Sequence, residues 1–315
     1  MIRRIRELLK DDVAGDPCNG LKWTRRSTRK IAKELRSLGI QVSARKVAQL
    51  LDDLHFSLHV NRKKLCRGSK ATRAERNEQF EYISGQRESF ALRHLPIVSI
   101  DSKKKEMVGN FKNAGATWRK TPDPVLDHDF RSDAKGMAAP GGIYDTQANR
   151  GTVFVGTSHD TADFTVDNLV RWWVSEGRDR YRDATELLVL ADGGGSNAAR
   201  SRAFKYNLQT RLCDPYRVDV TVCHYPTGAS KWNPIEHRLF SQISNNWAGH
   251  PLRSYETILN HIRTTTTETG LQVTAHLVDQ EYPTGVKIAN ASMATINMEP
   301  HAVQPVRNYT IRPRA

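Results

Sequence analysis

Three carboxylates stand where metal-assisted phosphoryl chemistry would need them. The apolar run Pro96-Ile-Val-Ser-Ile ends in Asp101, and Leu187-Leu-Val-Leu-Ala ends in Asp192. A third acid, Glu236, follows Asn233 and Pro234 in the stretch KWNPIEHRLF. A short apolar run closed by one charge reads as a buried strand, with the charge at its carboxyl end, where α/β sheets place their chemistry. Three such acids drawn together without cations repel one another and resist ionisation. Hard divalent cations relieve that repulsion, and Mg²⁺ favours a few carboxylates with water and phosphate oxygens. A pair of Mg²⁺ (or Mn²⁺) ions is therefore the expected cofactor, able to activate the attacking oxygen and stabilise the leaving one in phosphodiester exchange. Gly193, Gly194 and Gly195 would leave the backbone beside Asp192 bare enough for a phosphate chain to approach. Plainer readings stand beside these. Ser196 or Asn197 caps a helix after a glycine turn, and Asn233, Pro234 and Glu236 form a capping box.

The elements that must position these residues follow from periodicity. PIVSID is one strand, and GGIYDTQANRGTVFVGTS gives two more about an Asn-Arg-Gly turn. DTADFTVDNLVRWWVSEG is an amphipathic helix capped near Asp160 or Thr161. The Asp192 strand, a helix over 198–212, the alternating strand VDVTVCHY and a helix opening at WNPIEH complete the order β-β-β-α-β-α-β-α. An antiparallel group followed by alternating strands and helices indicates an α/β class, a mixed sheet flanked by helices. Asp101 and Asp192 then share one edge of that sheet.

Charge separates a second region. The chain carries 48 Lys+Arg against 34 Asp+Glu, a net of +14. Residues 1–100 hold 22 of the former and 11 of the latter, so most of the excess lies there. A segregated basic excess is the footprint of a polyanion, here nucleic acid. Within it, Ser27 or Thr28 caps a helix over 29–37, Gly39 breaks it, and Ser43 caps a second helix over 44–54. Two short amphipathic helices about a glycine turn read as an all-α helix-turn-helix, with Arg45, Lys46 and Gln49 on the exposed front that reads base edges. An ordinary helical hairpin is the alternative. A charged helix over about 70–93 follows, and the pattern changes near Leu95.

Other residues carry less. Lys103, Lys104 and Lys105 follow Asp101 and could hold phosphates, or form a solvated charge run. Lys231 and Trp232 could meet DNA by charge and stacking, or Trp232 could be buried. His159 and Asp160 could line the cleft. Tyr-Pro-Thr-Gly occurs twice, at 225–228 and 282–285, as repeated turn chemistry. His55 and His59 lack a nearby third ligand, and Cys18, Cys66, Cys213 and Cys223 form no C-x-x-C pair. No stretch nears the ~20 apolar residues that span a bilayer, and no signal peptide opens the chain. The expectation is a soluble cytosolic protein with no membrane partner and no organic cofactor.

At IDSKKKEMVGNFKNAG, TSHDTADF, LADGGGSN, SKWNPIEHRLFSQISNNW, TTTTETGLQV, YPTGVKI and NYTIRP the chain resembles the Rhodopirellula-type transposases of bacterial insertion sequences. The NPIE element is also similar to the third-carboxylate motif of mariner-like transposases. The resemblance implies an RNase H-like catalytic domain with Asp101, Asp192 and Glu236 as its Asp-Asp-Glu metal triad. It implies DNA as partner, both element ends and target, with a homo-oligomer assembled on it. The expected organisation is a helix-turn-helix segment at 1–68, a basic helical linker at 69–95, the catalytic domain at 96–270 and a packed extension at 271–315. Members of this family carry a longer N-terminal region. A truncated, non-catalytic DNA-binding remnant, or a plain RNase H-like nuclease, is therefore the alternative.

Overall fold

A computed structural model describes residues 27–54 and 72–315, the helical positions Ile2 and Ile5, and the paired strands Val13–Gly15 and Lys22–Thr24. His55, His59, Cys18, Cys66 and the basic stretch through residue 71 lie outside the described residues. The chain divides into two compact units, Met1–Cys66 and Arg67–Ala315.

In the first unit, helix α1 (Thr28–Ser37) is capped by Ser27, whose hydroxyl accepts from the Lys30 N–H at 3.2 Å. Its C-terminus closes through Gly39, at φ +78°, with the Ile40 N–H reaching back to the Leu35 carbonyl. That left-handed turn is the reason for glycine here. Ser43 caps helix α2 (Ala44–Asp53) in the same way. Ile31, Ala32, Leu35, Val47 and Leu50 pack with Ile5 into a small core, leaving Arg45, Lys46 and Gln49 exposed on α2.

The second unit is a mixed nine-stranded sheet between helices. Its central strands are β1 (Ile97–Ser102), β2 (Gly136–Asp145), β3 (Arg150–Gly156), β4 (Glu186–Ala191) and β5 (Asp219–His224). They lie in the order β3-β2-β1-β4-β5, with β1, β2 and β3 antiparallel in succession and β4 and β5 parallel to β1. That is the RNase H-like arrangement, and it is the expected mixed α/β sheet. The segment expected as an extension packed on or near this domain contributes strands to the sheet. Strand β6 (Gln272–Val278) runs parallel to β3 at one edge, while β7 (Met298–Pro300) and β8 (Asn308–Ile311) extend the other edge beyond β5.

Alternation sets the two faces. Val98, Ile100, Val189 and Ala191 point to one side, under helix α4 (Ala162–Trp172) and the helical stretch from Arg202 to Tyr216. Ile97, Leu188 and Leu190 point to the other, where helix α3 (Arg73–Leu92) covers them with Ile83 and Phe90. Farther along that face, Ile235, Leu239, Phe240 and Ile243 of the Glu236 helix pack on Tyr144, Val153 and Val155. No described helix is long and apolar enough to cross a membrane.

Candidate active site

The register of β1 and β4 pairs Ile100 with Ala191, so Asp101 and Asp192 follow side by side at the carboxyl ends of adjacent parallel strands. Period-two alternation carries both toward the α3 face, the side of Leu190 and Ser99. Glu236 arrives from the loop after β5 by a specific attachment. Asn233 is fully buried, its Oδ1 accepting from Ser99 Oγ at 2.5 Å and its Nδ2 donating to the Ile100 carbonyl at 3.1 Å. The Ile235 N–H donates to the same Ser99 hydroxyl at 3.1 Å. The Glu236 loop is thereby stapled to β1 within two residues of Asp101. Asn233 is spent on that strand and makes no capping box. Glu236 opens a π-helical turn, Glu236–Phe240, without a side-chain cap. Such turns widen the helix locally and recur at functional sites.

The three acids act on one another. Burial foremost, then the Asp192 charge, push the Asp101 carboxyl up to about 8; Glu236, at hydrogen-bonding range, adds to the push. The Ser102 N–H, 2.8 Å from Asp101 Oδ1, opposes it. Asp192 is raised by burial and by the charges of Glu236 and Asp160, against the Gly194 N–H at 3.1 Å. Among the described residues, no group of three His, Cys, Asp or Glu closes tightly enough to hold an ion as the side chains stand. The donor chemistry nevertheless fits a hard divalent cation: oxygen ligands only, partly buried, with no Lys or Arg among the causes of either aspartate's shift.

The loop after Asp192 is a short 3₁₀ turn, Gly195–Asn197, with Gly195 at φ +66°. With its amide turned to satisfy both partners, Asn197 donates to Asp192 Oδ1 at 3.2 Å and to the Gly194 carbonyl at 2.6 Å. The following helix therefore begins later than expected, at Arg202, capped by Ser201. Ser196 accepts instead from Thr165 Oγ1. The buried His224 ring fixes the far side of the loop, with Nε2 2.8 Å from the Asn197 carbonyl and Nδ1 2.9 Å from that of Arg307. A neutral ring donates to only one of them. Burial, helped by Lys205 and Arg307, outweighs both carbonyls and lowers the His224 pKa to about 4.

The other sequence candidates separate. Lys103 is held between Glu106, at 2.9 Å, and the face of Trp247, 4.6 Å from its Nζ, so it braces the Glu236 helix. Lys104 and Lys105 are exposed. Trp232 is 56% exposed, edge-on to Phe80 with Lys231 over its ring, which removes the buried-tryptophan reading. Asp160 is not a cap, since Thr161 caps α4. Its Oδ1 accepts from Ser102 Oγ at 3.0 Å and its charge reaches Asp192, making it a fourth acid at the site. The sequence pointed only weakly to Asp160, and gave no signal that Ser99 and Asn233 would meet.

Over residues 4–313 the sequence matches the Rhodopirellula transposase DDE domain. The chain belongs to this transposase family. No curated protein matches it. Solved structures similar to this transposase include the Mos1 strand transfer complex, at 18% identity and TM-score 0.44. The Mos1 paired-end complex with the left transposon end, at 17% and 0.43, and the Mos1 mariner paired-end complex with Mg, at 16% and 0.43, are similar too. Each match covers 82% of this transposase and 68% of the Mos1 chain.

Proposed function

We propose that this transposase cuts and joins DNA at the ends of its insertion sequence, with Asp101, Asp192 and Glu236 as the metal-holding acids. The observation that carries the reading is the stapling of Glu236 beside two strand-end aspartates whose repulsion is left uncompensated. A divalent cation bound there, Mg²⁺ or Mn²⁺, would supply activation of the attacking oxygen and relief of developing charge. Water attacks a phosphodiester at the element end and frees a 3′-hydroxyl, which then attacks a target phosphodiester and displaces its 3′-oxygen. The chain's own residues arrange this. Gly194 and Gly195 leave space beside Asp192 for the backbone, Asn233 and Ser99 fix Glu236, and exposed Lys104, Lys105, Lys231 and Trp232 meet the flanking DNA.

The first unit supplies recognition of the ends, with Arg45, Lys46 and Gln49 of α2 facing the bases. The working form is a homo-oligomer gathered on two ends, in the cytoplasm with the nucleoid. The test uses a labelled duplex bearing the element's own end, incubated with Mg²⁺ and a target plasmid. Cleaved and joined products from the parent, and neither from Glu236→Gln, support the reading. Degradation without joining would instead identify a plain nuclease.

A further inference from the structure

Two arginines beside the Asp192 loop have no carboxylate partner among the described residues. Arg76, on α3, donates from Nη1 to the Thr227 carbonyl at 2.6 Å. Arg307, just before β8, donates from Nη2 to Thr227 Oγ1 at 3.0 Å and from Nη1 to the Tyr225 carbonyl at 3.2 Å. Both guanidinium groups thus converge on Thr227, at the carboxyl end of β5. The same Arg307 Nη1 lies 3.2 Å from where a Cβ on Gly193 would sit, and Gly193 is the residue after Asp192. A side chain there would press on the guanidinium, a second reason for glycine at this position.

What sets the pair apart is that two half-buried guanidinium groups without a carboxylate partner converge on one residue. Arg180, Arg211, Arg253, Arg312 and Arg314 each hold a carboxylate. Among the described residues, neither Arg76 nor Arg307 has one within ion-pair distance. Burial first and the Arg76 charge second lower the Arg307 pKa, as two uncompensated cations in proximity should. Their positions are also fixed. One helical turn beyond Arg76, the fully buried Gln79 exchanges two amide hydrogen bonds, both 2.8 Å, with the fully buried Asn308, the neighbour of Arg307. Gln304 adds a bond to the Glu75 carbonyl at 2.6 Å. A buried amide pair joins the helix to β8 where apolar contact would have served packing alone. Its effect is to hold two like charges together.

We propose that Arg76 and Arg307 form a phosphate clamp for the DNA strand lying across the Asp192 loop, a contact separate from the basic first unit. This rests on the reading that DNA occupies the carboxylate site. Arginine suits the task because its fork meets phosphate oxygens through two donors and keeps its charge when partly buried. Thr227 and Tyr225 use only part of each guanidinium, leaving other N–H groups for the phosphate.

The experiment measures binding of the full-length chain to an end duplex across salt, in Mg²⁺, for the parent, Arg76→Ala and Arg76→Ala/Arg307→Gln. Each lost phosphate contact should lower the slope of log affinity against log salt by about 0.9, so the double variant loses about 1.8. Between about 50 and 200 mM salt, parent binding should then weaken about twelvefold more than that of the double variant. A double variant that melts like the parent and keeps its full slope overturns the clamp. Should loss of Arg307 unfold the chain, Arg76→Ala alone decides, because its guanidinium touches only a loop carbonyl: a slope change near 0.9 supports the clamp and none overturns it. Cleavage is scored in the same tubes. A changed slope with no cleavage by the parent keeps the clamp and rejects the transposition reading. Cleavage with an unchanged slope does the reverse.

Discussion

Replacing Asn233 by alanine should separate the staple from the acid it positions. The substitution removes two buried hydrogen bonds, one from Ser99 Oγ and one to the Ile100 carbonyl. It strands a hydroxyl and a carbonyl in a region closed to water, at about 1–3 kcal/mol for each unsatisfied group. Partial relaxation of the loop brings the expected total to about 3 kcal/mol. For a unit of this size that is roughly 6–12 °C of melting temperature. Ser99→Ala should cost a comparable amount, because Asn233 keeps its bond to Ile100 but its Oδ1 and the Ile235 N–H both lose their partner. The two substitutions share one network, so their combined effect should fall short of the sum by about 1 kcal/mol or more. Activity should fall further than stability explains. A displacement of about 1 Å at Glu236 can cost on the order of a hundredfold in rate. The assay pairs differential scanning fluorimetry with Mg²⁺-dependent cleavage of an end duplex, normalised to folded protein. An Asn233→Ala chain melting within about 2 °C of the parent and cutting at the parental rate would refute the staple.

Other outcomes follow from the same geometry. Because the folded-state pKa of Asp101 is raised to about 8, the folded chain holds more protons than the unfolded one between about pH 4 and 8, and stability falls as pH rises through that window. His224 has the opposite slope: lowered to about 4, it costs stability as pH falls from about 6.5 toward 4. Melting should therefore decline from pH 6.5 to 8 without divalent cations, and Asp101→Asn should flatten that decline; an unchanged decline would mean that Asp101 is not its source. His224→Gln should remove the acid-side loss at a cost to overall stability, checked by the same scans. In the first unit, Arg45→Ala or Gln49→Ala should reduce the preference for end DNA over random duplex by about tenfold per lost base contact while the salt slope stays nearly constant. Competition binding reads this directly, and a uniform loss across sequences would make α2 a backbone-contacting element only.

Much of the framework was legible because it is local. PIVSID and LLVLAD carry their own burial pattern, and the serines at 27 and 43 announce their helices through a single side chain each. The order of elements then places Asp101 and Asp192 together at the carboxyl ends of two strands. What stayed hidden is long-range. Strand β8 has four residues, and its place beside β5 is set by a partner far away in sequence. The Gln79–Asn308 exchange, which turns an expected linker helix into a wall of the second unit, spans 229 positions. Asn233 misled for a related reason: a cap is the local use of asparagine, and only the fold brings Ser99 within reach. Asp160 was ambiguous because a strand-to-helix junction suits either a cap or a site acid, and Thr161 next to it takes the cap.

The central claim is that Asp192 holds a metal for DNA chemistry and does not simply order its glycine loop. Asp192→Asn keeps the size of the side chain and the acceptor for the Gly194 N–H but removes the charge a divalent cation requires. The direct measurement is cleavage and joining of a labelled end duplex in Mg²⁺, taken with the melting temperature of the same preparation. The account predicts that cleavage and joining fall by about three or more orders of magnitude, while melting without divalent cations holds or rises because a repelling charge is gone. A folded Asp192→Asn chain that cuts and joins at the parental rate would contradict it.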